Sequence, residues 1–323
     1  MEMFLQILLL VLGFVMLVKG ADWFVDGAAS IASKFGIPQL VIGLTIVAMG
    51  TSAPEAAVSI TAAFAGNADI TIGNIVGSNI LNIFIILGLT ALIYPCSIQK
   101  STLAVDIPVT IFASALLLFL GLDGNITRLD AIIMLVVFVS YLTYLLISAK
   151  KERTASLQSE QKESSVSEQT EETQIKEMSL LKAILFTLIG LVLIIAGSKF
   201  VVSSASFIAT KLGLSTRFIG LTIVALGTSL PELFTSVTAA MKKNSDIAIG
   251  NIVGSNIFNI LFVVGLSGLI IPVPFAPEFR FDTIVSGIAA IALLLFCLPK
   301  KKLPRFAGAI FLICYALYFI KIW

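Results

Sequence analysis

"GLTIVAMGTSAPE" occupies residues 43–55 and "GLTIVALGTSLPE" occupies residues 220–232, identical at 11 of 13 positions. "DITIGNIVGSNILN" at 69–82 and "DIAIGNIVGSNIFN" at 246–259 agree at 12 of 14. Both pairs stand 177 residues apart (43 to 220, 69 to 246), and Pro95 meets Pro272 at the same offset. Shared apolar composition cannot produce this match, because its strongest signal is polar. The chain is a duplication.

What surrounds these motifs is membrane-like. The 323 residues are 58% apolar and 12% charged, about half the charged share of a soluble protein. Mean hydropathy is +1.05. Apolar runs of 18 or more residues recur, each long enough to cross a hydrocarbon core of about 30 Å. The first run follows Met-Glu-Met without Lys or Arg and leads into Trp23, so it reads as a retained helix rather than a signal peptide. Residues 150–178, "KKERTASLQSEQKESSVSEQTEETQIKEM", are polar and Ser/Glu/Gln-rich, as expected of a connector.

The reading is an all-α polytopic membrane protein with halves 1–149 and 179–323 joined by the linker 150–178. Length counting places spans near 3–33, 39–64, 70–94, 102–121 and 128–149. In the second half they fall near 179–210, 216–241, 247–271, 281–298 and 305–322. Five spans is an odd number, so the second half enters the membrane from the opposite side. Ten helices then form two inverted five-helix repeats, a recurrent transporter plan. With the N-terminus outside, the inner ends and loops hold eleven Lys and Arg and the outer side five. That asymmetry puts both termini outside the cell membrane and the linker in the cytoplasm. Nothing points to nucleic acid, and a monomer suffices.

A proline, a glutamate and hydroxyls at mid-span are costly, and that cost is informative. Thr51 is the centre of the second span, so Glu55 lies one turn from the midplane, and Glu232 does the same in the seventh. Intramembrane carboxylates mark ion pathways by default. Pro54 has no N–H for the carbonyl of Gly50, and Pro231 none for Gly227, so each helix must open locally. Freed carbonyls in hydrocarbon need a partner, and a bound cation is one. Ala48, Thr51, Ser52 and Glu55 share a helix face, as do Ala225, Thr228, Ser229 and Glu232. On the next helix Asn74, Ser78 and Asn82 form a stripe that Asn251, Ser255 and Asn259 copy. Gly73 with Gly77, and Gly250 with Gly254, form seams for close helix approach.

An all-oxygen set suits Ca²⁺ and Na⁺ and disfavours softer metals. The absence of histidine removes the commonest transition-metal ligand and the usual proton relay. Cys96, Cys297 and Cys314 have no metal or disulfide spacing. Without histidine or paired midplane aspartates, an intramembrane enzyme is disfavoured. Asn79 and Asn256 point away from the stripe and are assigned to packing. Asp69 and Asp246 are assigned as helix caps, and Asp22 and Asp26 as interfacial residues.

"GTSAPE" with "GNIVGSNILN", and "GTSLPE" with "GNIVGSNIFN", resemble the two alpha repeats (here 43–82 and 220–259) of the cation/calcium exchanger superfamily, in particular prokaryotic sodium/calcium exchangers. The resemblance implies ten helices, eight of them a compact core across which long first and sixth helices can slide. It implies a Ca²⁺ site on Glu55 and Glu232, completed by carbonyls of Thr51 and Thr228. Flanking Na⁺ sites would draw on Ser52, Ser229, Ser78, Ser255 and the carbonyls of Ala48 and Ala225. Asn82 would line the centre. Asn259 stands where potassium-dependent relatives carry aspartate, which argues against K⁺ co-transport. The implied activity is electrogenic Na⁺/Ca²⁺ antiport without a cofactor. Ca²⁺/H⁺ antiport and a cation channel are the alternatives, and "GTSxPE" in place of "GNAxE" argues against the former.

Overall fold

The computed structural model describes residues 2–160, 178–213 and 225–322. Most of the linker (161–177) and the start of the seventh span, including Arg217, lie outside the described residues. The helices are α1 (Glu2–Phe35), α2 (Gln39–Thr51), α3 (Ala53–Phe64), α4 (Ile70–Ile93), α5 (Thr102–Asp123) and α6 (Arg128–Glu160). The second half supplies α7 (Leu180–Lys211), α8 (Ala225–Thr228), α9 (Leu230–Met241), α10 (Ser245–Ile270), α11 (Glu278–Cys297) and α12 (Arg305–Ile322).

Among the described residues seven helices are long and apolar enough to cross a membrane. They become eight if α2 and α3, bent by 51° at their junction, form one span. The break falls at Ser52, whose ψ of 7° leaves the helical region two residues before Pro54. A ring without an N–H forces that opening, as the sequence predicts. Ser229 repeats the turn with ψ 4° between α8 and α9.

Two helices form the centre. Buried residues make up 94% of the apolar window of α10 and 78% of that of α4, against 17–39% in the other spans, so these two line the interior. The bent segments pack on them, α2 and α9 on α10 and α3 on α4. Gly250 and Gly254 provide the predicted seam: a Cβ at Gly250 would stand 3.0 Å from the Leu40 carbonyl. The equivalent partner of Gly73 and Gly77 falls within 214–224, outside the described residues.

The outer pair α1 and α7 holds together by a seam absent from the sequence reading. Gly13 meets Gly197 and Gly20 meets Gly190, in opposite order along the two chains, so the helices run antiparallel. A Cβ on Gly20 would come within 2.9 Å of the Gly190 carbonyl. Glycines seven residues apart share a face and bring the backbones into contact.

The all-α expectation needs one correction. Two short antiparallel ladders join the halves, β1 (Cys96–Ser97) with β4 (Lys302–Leu303) and β2 (Asn125–Ile126) with β3 (Val273–Pro274). Two residues are too few to show strand periodicity. A second correction concerns capping. Asn244 caps α10 through the Ile247 amide, while Asp246 accepts from Gln99 Nε2 at 2.7 Å.

Candidate functional site

Proline-driven breaks bring two carboxylates into the interior. Glu55 follows the turn in one half and Glu232 in the other, and both are fully buried. Each is held by the opposite half. Ser52 Oγ donates to Glu232 Oε1 at 2.7 Å, and Ser229 Oγ donates to Glu55 Oε1 at 3.3 Å. From the central helices Ser78 Oγ donates to Glu55 Oε1 at 3.2 Å, and Ser255 Oγ lies 3.5 Å from Glu232 Oε1. Ser78 and Ser229 are themselves 3.0 Å apart.

The second oxygen of each carboxylate differs. Among the described residues Glu55 Oε2 and Glu232 Oε2 are buried with no hydrogen-bond partner, and so are Asn82 Oδ1 and Asn259 Oδ1. A buried polar atom without a partner costs on the order of 1–3 kcal/mol, more when charged. Two carboxylates and two amides thus each keep one oxygen spare, and oxygen is the donor type that hard cations take. Among the described residues no three His, Cys, Asp or Glu side chains converge.

The remaining predicted residues distribute around this set. Thr51 Oγ1 is bonded to Asn251 Oδ1 at 3.0 Å and to the Ala48 carbonyl at 3.2 Å. That carbonyl also accepts from Ser52 N and from Ser255 Oγ at 3.3 Å, so protein donors already serve it. Thr228 lines a cleft, and Ala225 opens α8. The freed carbonyls have a partly different fate from the one expected. Ser198 of α7 donates to the Gly227 carbonyl at 2.6 Å, while its equivalent in the first half is Ala21.

The stripe residues Asn74 and Asn251 brace the bent helices rather than the cation. Asn74 Nδ2 donates to the Glu55 carbonyl and to Ser59 Oγ; Asn251 Nδ2 donates to the Glu232 carbonyl and to Ser236 Oγ. Asn79 and Asn256, assigned to packing, do cross-link α4 and α10. Asn79 Nδ2 donates to the Asn256 carbonyl at 3.0 Å and Asn256 Nδ2 to the Asn79 carbonyl at 3.2 Å. Nearly every bond in the cluster recurs 177 residues on. The sequence signal for Ser59 and Ser236 was their place one turn beyond each glutamate.

Outside the cluster the halves differ. A cleft of about 790 Å³ runs between α3 and α7, past Thr61, Ser198, Lys199 and Ser203, to Gly227 and Thr228. At the equivalent place in the other half, Lys242 Nζ lies 2.6 Å from Asp22 and 2.6 Å from Asp26 on α1, and donates to the Asp22 carbonyl at 2.9 Å. These aspartates are an ion-paired cluster, not merely interfacial.

The sequence profile described as "Sodium/calcium exchanger protein" matches residues 5–147 and 182–323. Inner membrane protein YrbG of Escherichia coli K12 is 36% identical over 303 residues, covering 94% of this chain and 91% of the relative. Sodium/calcium exchanger MaX1 of Methanosarcina acetivorans is 33% identical over 339 residues, covering 97% of each. The solved sodium-calcium exchanger NCX_Mj, soaked with 2.5 mM Na⁺ and 10 mM Sr²⁺, matches with a TM-score of 0.83 at 31% identity, covering 98% of this chain and 99% of its own.

Proposed function

The chain belongs to the sodium/calcium exchanger protein family, and from that premise we propose that it is a secondary antiporter exchanging Ca²⁺ for Na⁺ by alternating access. One observation carries the reading: the second oxygens of Glu55 and Glu232, buried and, like those of Asn82 and Asn259, without a partner among the described residues. In this reading Ca²⁺ sits on the two carboxylates with the carbonyls of Thr51 and Thr228. Na⁺ takes flanking sites among Ser52, Ser78, Ser229, Ser255 and the carbonyls of Ala48 and Ala225.

Charge balance makes the exchange obligatory. Two carboxylates about 5 Å apart repel by roughly 3 kcal/mol at an effective dielectric of 20, and their desolvation adds to that. An empty carrier therefore switches sides poorly. One Ca²⁺ cancels the pair, as do two Na⁺. A third Na⁺ makes the cycle electrogenic, coupled to voltage at about 2.3 kcal/mol per charge per 100 mV. A neutral Asn259 supplies no further charge for K⁺.

The architecture proposed with it is ten helices in two inverted repeats, 1–149 and 179–323, with both termini outside and 150–178 cytoplasmic. The antiparallel run of α1 against its equivalent α7 and the reciprocated bonds of the cluster support that arrangement.

The test is ⁴⁵Ca²⁺ uptake into proteoliposomes with Na⁺, K⁺ or H⁺ gradients imposed one at a time. Uptake driven by outward Na⁺ alone is expected, and if three Na⁺ leave per Ca²⁺ it runs faster with a positive interior, because each turnover moves one net positive charge outward. Uptake that follows only the proton gradient, or persists without any trans cation, would replace this reading by a Ca²⁺/H⁺ antiporter or a channel.

A further inference from the structure

We propose that Asn79 and Asn256 are positioning residues that set the polarity of the Asn82 and Asn259 amides and so aim an oxygen of each at the transported cation. The inference rests on the ion site proposed above. An asparagine amide has nearly the same shape with its oxygen and nitrogen exchanged, so its partners decide which end points where. A main-chain carbonyl can only accept. Asn79 Nδ2 meets the Asn256 carbonyl at 3.0 Å and Asn256 Nδ2 meets the Asn79 carbonyl at 3.2 Å, which pins the NH₂ end of both. Their oxygens then face the next pair. Asn82 Nδ2 donates to Asn256 Oδ1 at 3.0 Å, and Asn259 Nδ2 donates to Asn79 Oδ1 at 3.1 Å.

With those N–H groups committed, Asn82 and Asn259 have one orientation left. Their Oδ1 atoms are both buried, without a partner among the described residues. All four side chains are almost wholly buried, so water does not compete for the choice. The order of command is carbonyl, Asn79 or Asn256, Asn259 or Asn82, cation. A π-helical segment starts at Asn82 and another at Phe258, so each aimed amide stands where the helical ladder changes register, a frequent feature of functional sites.

A mere staple between α4 and α10 would use the same two carbonyl bonds, so the test must separate aim from adhesion. ⁴⁵Ca²⁺ uptake driven by Na⁺ is measured for the full chain, Asn79→Leu, Asn259→Ala and the double variant, with gel filtration in detergent for each. Loss of a residue that orients a metal ligand typically weakens metal affinity about 10- to 100-fold. Asn79→Leu is expected to raise the half-saturating Ca²⁺ concentration by that factor. Adding Asn259→Ala should then change it less than about twofold, because Asn79 acts through that amide. Asn256→Leu should behave alike through Asn82. If a leucine variant does not elute as a single peak, Asn79→Ser and Asn256→Ser are read in its place. A lowered maximal rate at unchanged half-saturation, or fully multiplicative effects in the double variant, would overturn the inference alone. Absence of Na⁺-driven uptake in the unmutated protein would overturn the exchange reading and this inference with it.

Discussion

Glu55→Gln removes one charge and, by the local bonding, turns a donor toward the cation. Glu55 Oε1 accepts from Ser78 and Ser229 at 3.2 and 3.3 Å, so a glutamine keeps its carbonyl oxygen there. Its NH₂ group then takes the place of Oε2, the oxygen without a partner. Two unit charges about 4 Å apart interact by about 4 kcal/mol at an effective dielectric of 20, so a divalent cation loses about 8 kcal/mol. Desolvation saved by the missing carboxylate offsets part of this. Even if half survives, about 4 kcal/mol, the Ca²⁺ affinity falls about 1,000-fold. The assay is ⁴⁵Ca²⁺ uptake into Na⁺-loaded proteoliposomes, with the amount of reconstituted protein measured alongside. Uptake is expected to vanish at micromolar Ca²⁺, and Glu232→Gln should behave the same. Near-normal uptake by either variant would refute the assignment of the paired carboxylates.

The two halves should not respond equally to loss of their hydroxyls. Ser52→Ala deletes the 2.7 Å bond to Glu232 Oε1, a charge-assisted bond of about 1.5–3 kcal/mol, and leaves that oxygen only Ser255 at 3.5 Å, whereas Ser229→Ala deletes a 3.3 Å bond and leaves Glu55 Oε1 its 3.2 Å bond from Ser78. Titrating uptake with Ca²⁺ should show the larger loss of apparent affinity in Ser52→Ala, and equal losses would count against the geometry. Gly20→Leu forces a side chain into the Gly190 backbone and should destabilise the α1–α7 pair by about 1–3 kcal/mol, read as a lower Tm in detergent; an unchanged Tm would mean the pair is not packed as described. Lys242→Gln removes a half-exposed ion cluster worth about 1 kcal/mol. Apparent Ca²⁺ affinity should rise about fivefold when measured from the Lys242 face and fall from the cleft face, and no change on either face would show that the cluster holds nothing shut.

Much of the candidate site's geometry was legible because polar residues in a membrane span carry a cost that must be offset. Pro54 and Glu55 announced the break and the charge, and the offset of 177 identified their partners. The structure puts the break at Ser52 and joins Glu55 to Ser229 and Glu232 to Ser52. Other features left a signal that went unread. Gly13, Gly20 and Gly27 repeat every seven residues, a longer spacing than the four-residue seams of Gly73 with Gly77 and Gly250 with Gly254. Asn244, three residues before Ile247, is a better cap than Asp246 by the usual rule for side-chain oxygens. Still others leave none. The π-helical segments Gly43–Val47 and Asn82–Leu87 are changes of hydrogen-bond register, which residue types do not encode locally. The ion cluster of Lys242 with Asp22 and Asp26 joins residues some 220 positions apart, and no window spans it.

The interior and the ends of this molecule obey different symmetries, and the difference bears on how an antiporter works. Inside, Ser52 and Ser229, Asn74 and Asn251, and Asn79 and Asn256 make matching bonds in the two halves. At the ends the equivalents of Asp22, Asp26 and Lys242 are Lys199, Ser203 and Ala65. All three of those line the cleft. The same structural position is therefore sealed by an ion cluster in one half and open in the other. A duplicated sequence whose end residues had stayed identical would bias neither face. In the exchange proposed above, alike oxygens at the centre and divergent charges at the rims give one site two approaches of different closing energy. Access from the two sides can then be set by residues that never touch the ion.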